Sequence, residues 1–156
     1  MTASPIDADA GKSGALAFRE ARLADIPAMR EIRAAVSENR LSDPEKITAR
    51  MVEDYLTTLG KGWVCEHDGT VLGFSFAAHK SQSIWALFVR PGHERRGIGT
   101  RLLAMASEWL FAHGAERVVL STAPDTRADR FYRTRGWSRG ALLANGEVLF
   151  RLDRQR

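Results

Sequence analysis

Residues 84–103 read IWALFVRPGHERRGIGTRLL, and this stretch decides the fold. Its first six residues form an apolar run that is typical of a buried strand. Pro91 ends the run, because proline has no hydrogen-bond donor for a strand ladder. Gly97 and Gly99 then lead directly into apolar residues at helical spacing, which continue to about residue 113. The stretch therefore predicts a strand, a glycine turn and a helix in direct succession.

The glycine turn, residues 95–100, is a candidate anion-binding site. Gly97 and Gly99 lack Cβ atoms and allow close approach to the backbone. The first turn of a helix has N–H groups without intrahelical partners, and Arg95 and Arg96 add positive charge. These features suit a phosphate, although such a turn can also simply connect two elements. The turn fits neither a dinucleotide fingerprint, which needs a third glycine, nor a P-loop, which needs Gly-Lys-Ser/Thr.

Composition limits the classes of protein to consider. The 156 residues suit one domain, and the formal charge of +4 comes from basic residues interleaved with acidic ones. This mixture argues against a broad nucleic-acid-binding face using Arg95, Arg96, Arg101 and the C-terminal arginines. Cys65, the one cysteine, is expected as a small buried side chain in a reducing compartment. We expect a disordered tail at 1–14, a single domain at 15–156 and a cytoplasmic location without a membrane span.

The rest of the chain alternates element patterns with turn signals. Asp68-Gly69 is a strong hairpin signal, which makes the strands up to residue 89 an antiparallel meander. A helix separates this meander from the next strand, so residues 84–89 and 117–122 should run parallel. The second helix would be capped by Ser42 or Asp43 and closed by Gly60. The pattern predicts strands at 16–21, 63–67, 70–78, 84–89, 117–122, from 137 and at 147–152, and helices at 26–37, 44–59, 98–113 and 126–136.

The predicted sheet changes its connectivity between residues 89 and 117. Ligands of open α/β sheets bind outside the carboxyl ends of strands at such a point. The glycine turn lies there, and the helix at 126–136 brings Tyr132 toward the same end. An anion-binding turn, a splayed strand pair and a tyrosine hydroxyl together suit a long phosphorylated cofactor.

Two motifs in this order resemble those of the GNAT superfamily of N-acetyltransferases. Leu87-Phe88-Val89-x-Pro91 followed by Arg96-Gly97-Ile98-Gly99-x-x-Leu102-Leu103 is similar to its acyl-CoA motif, and Ala128-x-x-Phe131-Tyr132-x-x-x-Gly136-Trp137 to its second motif. The resemblance extends from about residue 16 to residue 152. It implies an α/β fold whose mixed, mostly antiparallel sheet has six to seven strands, helices on both faces and a parallel, splayed central pair.

The resemblance also implies an activity and the roles of particular residues. Acetyl-CoA would give its acetyl group directly to a primary amine of a small molecule or peptide, with no metal. The Val89 N–H would polarise the thioester carbonyl, and Tyr132 would protonate the departing thiolate, unless it is a core tyrosine. The cofactor-binding residues would be Leu87, Phe88, Val89, Arg95, Arg96, Gly97, Ile98, Gly99, Thr100, Asp125 and Tyr132.

Three positions depart from the family pattern. Glu94 stands where relatives often have Gln or Arg, and it would repel phosphates unless it points away or pairs with Arg95 or Arg96. Asp125 stands where relatives often have Asn. The strand at 84–89 lacks the glutamate that some members use as a general base. Glu66 and His79 at strand ends, Glu38 in a loop, or a chain of water molecules are the alternatives for this base.

The acceptor site is expected from the first two helices and their loop, together with the Asn145-Gly146 hairpin. Asn39, Trp63 and Trp85 are candidate contacts, and both tryptophans are also compatible with a place in the core. A small-molecule amine, a protein N-terminus and a lysine all stay open as acceptors. A non-catalytic acyl-CoA-binding sensor is the alternative function, and the C-terminal hairpin could pair edges in a homodimer.

Overall fold

The computed structural model of the chain describes residues 15–36 and 48–155. Within them, seven strands form one sheet: β1 (Ala17–Glu20), β2 (Gly60–His67), β3 (Thr70–Ala78), β4 (Ser83–Val89), β5 (Arg117–Thr122), β6 (Ser138–Leu142) and β7 (Val148–Asp153). The α-helices of the described residues are α1 (Ile26–Ala35), α2 (Ala49–Thr57), α3 (Ile98–Ala112) and α4 (Arg127–Arg133). None of them combines the length and the apolar character that crossing a bilayer requires.

The strand order across the sheet is β1-β2-β3-β4-β5-β7-β6. β4 and β5 are parallel, whereas the other neighbouring strands are antiparallel. α3 makes the crossover between the two parallel strands, as a connection of this type requires. The mixed and mostly antiparallel sheet predicted from the sequence is thereby confirmed.

Helices cover both faces of the sheet, and each face has its own apolar core. α3 packs over β2, β3 and β5, where Ile98, Leu102 and Leu110 are buried. α1 and α2 pack on the opposite face against Phe74 and Phe76 of β3. α3 lies close to the sheet at Gly73, where a Cβ atom would come within 3.0 Å of both Ile98 Cγ2 and the Phe88 carbonyl oxygen.

β4 and β5 separate soon after they start. Ser83 and Val119 are the one paired position between these two fully described strands, and the Val119 N–H donates to the Gln82 carbonyl at 3.1 Å. β4 also contains one extra residue, Trp85, opposite the step from Phe76 to Ala77 in β3. Such a β-bulge bends its strand and increases the local twist. We call the resulting gap between β4 and β5 the splay.

The second helix differs from its predicted bounds. It begins at Ala49, because the Thr48 hydroxyl accepts a hydrogen bond from the Met51 N–H at 3.1 Å and caps the first turn. The helix ends at Thr57, and Gly60 opens β2 and does not close the helix. A Cβ atom at Gly60 would lie 1.7 Å from the Ala77 carbonyl oxygen, so this glycine serves strand pairing. The expected caps Ser42 and Asp43, and the expected tail at 1–14, lie outside the described residues.

Asp129 fixes α4, the helix that carries Tyr132, to the rest of the sheet. Its carboxylate is fully buried and accepts hydrogen bonds from Arg139 Nε at 3.1 Å, the Asp125 N–H at 2.8 Å and Arg133 Nε at 3.0 Å. These bonds join α4 to β6 and to the loop after β5. The hydrogen bonds from Arg139, more than the burial that opposes them, hold the pKa of this carboxyl well below its usual range.

Asp129→Asn is expected to lower the free energy of unfolding by about 2–3 kcal/mol, because the amide carries no charge and turns its NH₂ toward donors. Because the pKa of Asp129 is lower in the folded state, its contribution to the free energy of unfolding is complete above the unfolded-state pKa of about 3.9. It is lost as pH falls further, through the folded pKa. Urea unfolding of both proteins at pH 7, 5 and 3 measures the difference, which should shrink only at pH 3.

Asp153→Asn is the matched control, because Asp153 pairs with Arg117 at an exposed position. It should change the free energy of unfolding by less than about 0.5 kcal/mol. Equal effects of the two substitutions at pH 7 would contradict the role given to Asp129.

Candidate active site

A cavity of about 780 Å³ opens at the splay. The middle of β4 and the end of β5 form its floor, and α1, α4 and the β6–β7 connection supply its walls. Its lining includes Leu87 and Phe88 from β4, Ser121 and Thr122 from β5, and Tyr132 from α4. Beyond Ser83, the edge of β4 that faces β5 has no partner strand. Every second residue of β4 therefore directs its N–H and C=O groups to an edge without a partner strand, and the binding of an extended ligand by Leu87, Phe88 and Val89 stays a prediction.

The glycine turn leads directly into the first turn of α3. Gly97 is the N-terminal cap of α3 and adopts a left-handed φ of 82°. No side chain among the described residues caps this helix end, so the first-turn N–H groups of Ile98, Gly99 and Thr100 are not used by a cap. Arg95 also has a positive φ, 66°, which a non-glycine residue rarely adopts. The turn is thus held in a special conformation at the end of β4.

Glu94 does not disturb this positive site. Its carboxylate accepts a hydrogen bond from the Gly92 N–H at 3.0 Å and pairs with Arg127 of α4 at 3.2 Å. Hydrogen bonds from its own N–H and that of Gly92, followed by the charge of Arg127, lower the pKa of this carboxyl. Of the two alternatives, pairing with Arg95 or Arg96 or pointing away, the structure shows no such pairing among the described residues and instead a bridge from the turn to α4.

Tyr132 is buried in the cavity wall with only 6% of its surface exposed. Its ring packs against Phe150, with centroids 5.5 Å apart, and against Trp137 at 6.0 Å. Among the described residues, its hydroxyl has no hydrogen-bond partner, which differs from a satisfied core tyrosine. Burial raises the pKa of Tyr132 well above its ordinary value, so the side chain is a neutral phenol at physiological pH.

Asp125 lies in the exposed loop before α4 and is not part of the cavity lining. Its backbone has a left-handed φ of 62°, and its N–H donates to Asp129. The structure therefore gives Asp125 a backbone role, and a side-chain contact with the cofactor stays a prediction.

Neither described candidate for the general base lies in the cavity. Glu66 pairs with Arg19 of β1, which also binds Asp25 at 2.9 Å. His79 lies beside the C-terminal end of α3 in a separate cleft with Trp109 and His113. Glu38 and Asn39 lie outside the described residues.

The two candidate tryptophans lie on opposite faces of the sheet. Trp85 lines the cavity and stacks on Tyr55 of α2, with ring centroids 4.1 Å apart. Trp63 is buried against Trp109 of α3, because it is paired with Ser75, whose hydroxyl donates to the Leu102 carbonyl of the same helix. Trp63 thus takes the core position that was the alternative for both tryptophans, whereas an acceptor contact at Trp85 stays a prediction.

The structure adds two charged residues that the sequence reasoning did not single out. Arg33 of α1 lies over the Phe88 ring at 4.2 Å and lines the cavity. Glu147, just before β7, also lines the cavity and accepts a hydrogen bond from the Ser121 hydroxyl at 2.6 Å. The sequence contains a signal for each of these residues. Arg33 is a charged residue within the apolar stripe of its helix, and Glu147 directly follows the Asn145-Gly146 turn.

Known proteins share this architecture. The structure of PaiA N-acetyltransferase from Thermoplasma acidophilum, in complex with coenzyme A, is 14% identical, with a TM-score of 0.74 over 90% of this chain and 99% of that one. A GNAT-family acetyltransferase from Staphylococcus aureus Mu50 is 15% identical, with a TM-score of 0.77 over 90% of this chain and 100% of the other. At such identities the likeness concerns the fold.

Sequence comparison points the same way. The acetyl transferase GW6a of Oryza sativa subsp. japonica is 41% identical over 49 residues, which are 31% of this chain. The match spans only 12% of that relative's length. The family model described as the acetyltransferase (GNAT) family matches residues 26–137, which include the glycine turn, the splay and Tyr132. The chain belongs to the acetyltransferase (GNAT) family.

Proposed function

We propose that this protein transfers an acetyl group from acetyl-CoA directly to a primary amine of a small molecule or a peptide. The observation that carries the proposal is the place of the Tyr132 hydroxyl. It is neutral, has no hydrogen-bond partner among the described residues and lies in the wall of the cavity at the splay. A hydroxyl in this position can donate a proton to a group held between β4 and β5.

The glycine turn would hold the diphosphate of coenzyme A. The N–H groups at the start of α3 and the side chains of Arg95 and Arg96 supply donors and positive charge. The bridge between Glu94 and Arg127 neutralises the nearest carboxylate of the turn. The pantetheine arm would then extend along the open edge of β4, where backbone groups beyond Ser83 have no partner strand.

The reaction needs few protein groups. The amine nitrogen attacks the thioester carbonyl carbon, a C–N bond forms and the C–S bond breaks. The Val89 N–H would stabilise the developing oxyanion, and one such donor contributes about 3 kcal/mol. The leaving thiolate takes a proton from Tyr132, and the amine loses its extra proton to a group in the cavity or to water. The unpartnered hydroxyl supports this enzyme over an acyl-CoA sensor, which would need no proton donor at the splay.

Tyr132→Phe is expected to lower kcat by about 10²-fold or more, because the ring packing is kept while the proton donor is removed. The affinity for coenzyme A should stay within about twofold, since the hydroxyl is not needed to bind the diphosphate. Thiol release from acetyl-CoA measures kcat, and calorimetry with coenzyme A measures binding.

Tyr55→Phe is the matched control for that substitution. Tyr55 is the other tyrosine of the chain, and its ring stacks on Trp85 outside the cavity lining. The kcat of the Tyr55→Phe variant should stay close to that of the wild type. Wild-type turnover in Tyr132→Phe would remove the proposed role of the hydroxyl.

Gly97→Ala tests the anion-binding turn. Both Gly97, with φ of 82°, and Gly114, with φ of 100°, have a left-handed backbone, and they flank α3 at its two ends. A Cβ atom at either position meets no atom within 4 Å, so each substitution adds backbone strain of about 1 kcal/mol without a clash. Only Gly97→Ala should also weaken coenzyme A binding, by about tenfold, because it displaces the first-turn N–H groups.

Gly114→Ala therefore serves as the control with equal strain and an unchanged binding site. Thermal unfolding compares the stability of the two variants, and calorimetry compares their affinity for coenzyme A. Equal affinities in the two variants would show that the turn does not hold the diphosphate.

A further inference from the structure

The cavity extends to the face of the sheet that carries α1 and α2. Val118 and Leu120 of β5 point into the core beneath α3, so the alternating residues Val119 and Ser121 face the other side. Trp85 and Phe88 of β4 pack on this same side. We call this part of the cavity, opposite α3 and bounded by α1 and the β6–β7 connection, the acceptor chamber.

Opposite charges stand on two walls of the acceptor chamber. Arg33 and Arg30 line it from α1, and Glu147 lines it from the β6–β7 connection. Partial burial lowers the pKa of Arg33, and the negative charge of Glu147 acts in the opposite direction. The two side chains of opposite charge thus line the same chamber, and an arginine stays protonated in proteins.

Both charges are held in place by the protein. The Glu147 carboxylate accepts a hydrogen bond from the Ser121 hydroxyl, and its backbone N–H donates to Asn145 Oδ1 at 2.9 Å. The Leu143 N–H donates to the Glu147 carbonyl at 2.7 Å, which closes the turn. On the opposite wall, the Arg33 Cζ atom lies 4.2 Å from the centroid of the Phe88 ring. A ligand that uses both charges would thus bind with little ordering cost.

An aromatic surface lines the same chamber as the two charged walls. Trp85 is fixed by its stack on Tyr55 and by an edge contact with Phe76, with centroids 5.7 Å apart. Phe74 and Phe88 continue this surface. It offers contact to an apolar side chain and excludes water from the charged groups, which strengthens their interactions.

We propose that the amine acceptor is a free α-amino acid with an apolar or aromatic side chain. Its ammonium would lie beside Glu147, its carboxylate beside Arg33, and its side chain on the aromatic surface. An amine without a carboxylate satisfies Glu147 but is repelled by the two arginines of α1, whereas a zwitterion matches both walls. This assignment rests on the proposed function, since it names the acceptor of the same reaction.

The test compares matched acceptors that differ only in the carboxylate. Phenylalanine with phenethylamine, and leucine with 3-methylbutylamine, are assayed by thiol release and by mass detection of the acetylated product. We expect kcat/KM for each amino acid to exceed that of its amine by about tenfold or more. Arg33→Met should abolish this preference by raising KM for the amino acids alone. Glu147→Gln should weaken both members of each pair, because both carry an ammonium.

Arg50→Met is the control, since Arg50 is an exposed residue of α2 that pairs with Asp54. It should leave both acceptor classes unchanged. Equal kcat/KM for the amino acid and its amine would overturn the assignment, and so would an unchanged preference in Arg33→Met. In both cases, release of thiol would still support acetyl transfer. A phenylalanine-initiated tripeptide preferred over free phenylalanine would also overturn it.

Binding gives a second readout that does not depend on turnover. Calorimetry in the presence of coenzyme A should detect binding of phenylalanine and no binding of phenethylamine. If phenylalanine does not bind, the assignment is overturned even when no acceptor reacts. Failure of the proposed function is a different outcome, in which coenzyme A itself does not bind and no amine releases thiol.

Discussion

The early separation of β4 from β5 is the constraint on which the rest of the structure depends. One paired position, Ser83 with Val119, holds the two parallel strands together before the extra residue Trp85 bends β4 away. Backbone groups left without partners inside a protein are costly unless a ligand or water satisfies them. Such a gap in the middle of the sheet leaves backbone groups of β4 that water or an extended ligand can satisfy.

Charge is distributed so that the gap stays positive at one end. Glu94 is bound by Arg127, and Asp129 is bound by Arg133 and Arg139, so each of these two carboxylates has a cationic partner within the protein. Arg95 and the start of α3 can then face an anion without competition. The pair of Glu94 with Arg127 links α4 to the turn, and the pair of Asp129 with Arg139 links α4 to β6. The contacts that neutralise these two carboxylates therefore also position α4.

The sequence was sufficient for features that depend on local pattern. Residues 84–103 predict the strand, the turn and α3 because each signal lies within a few residues of the next. Features that depend on partners distant in the chain were not accessible. The bulge at Trp85 follows from the register against β3, and the side of the sheet taken by Trp63 follows from its pairing with Ser75. Likewise, Arg33 and Glu147 meet only because α1 and the β6–β7 connection border one cavity.

The place of Cys65 disfavours an acetylated cysteine as an intermediate. Cys65 is the one cysteine of the sequence, and it is fully buried in the core beneath α3, outside the cavity lining. Burial raises the pKa of its thiol, which disfavours the reactive thiolate. The splay instead connects the two faces of the sheet, so a thioester lying along β4 and an amine in the acceptor chamber can meet without a protein carrier.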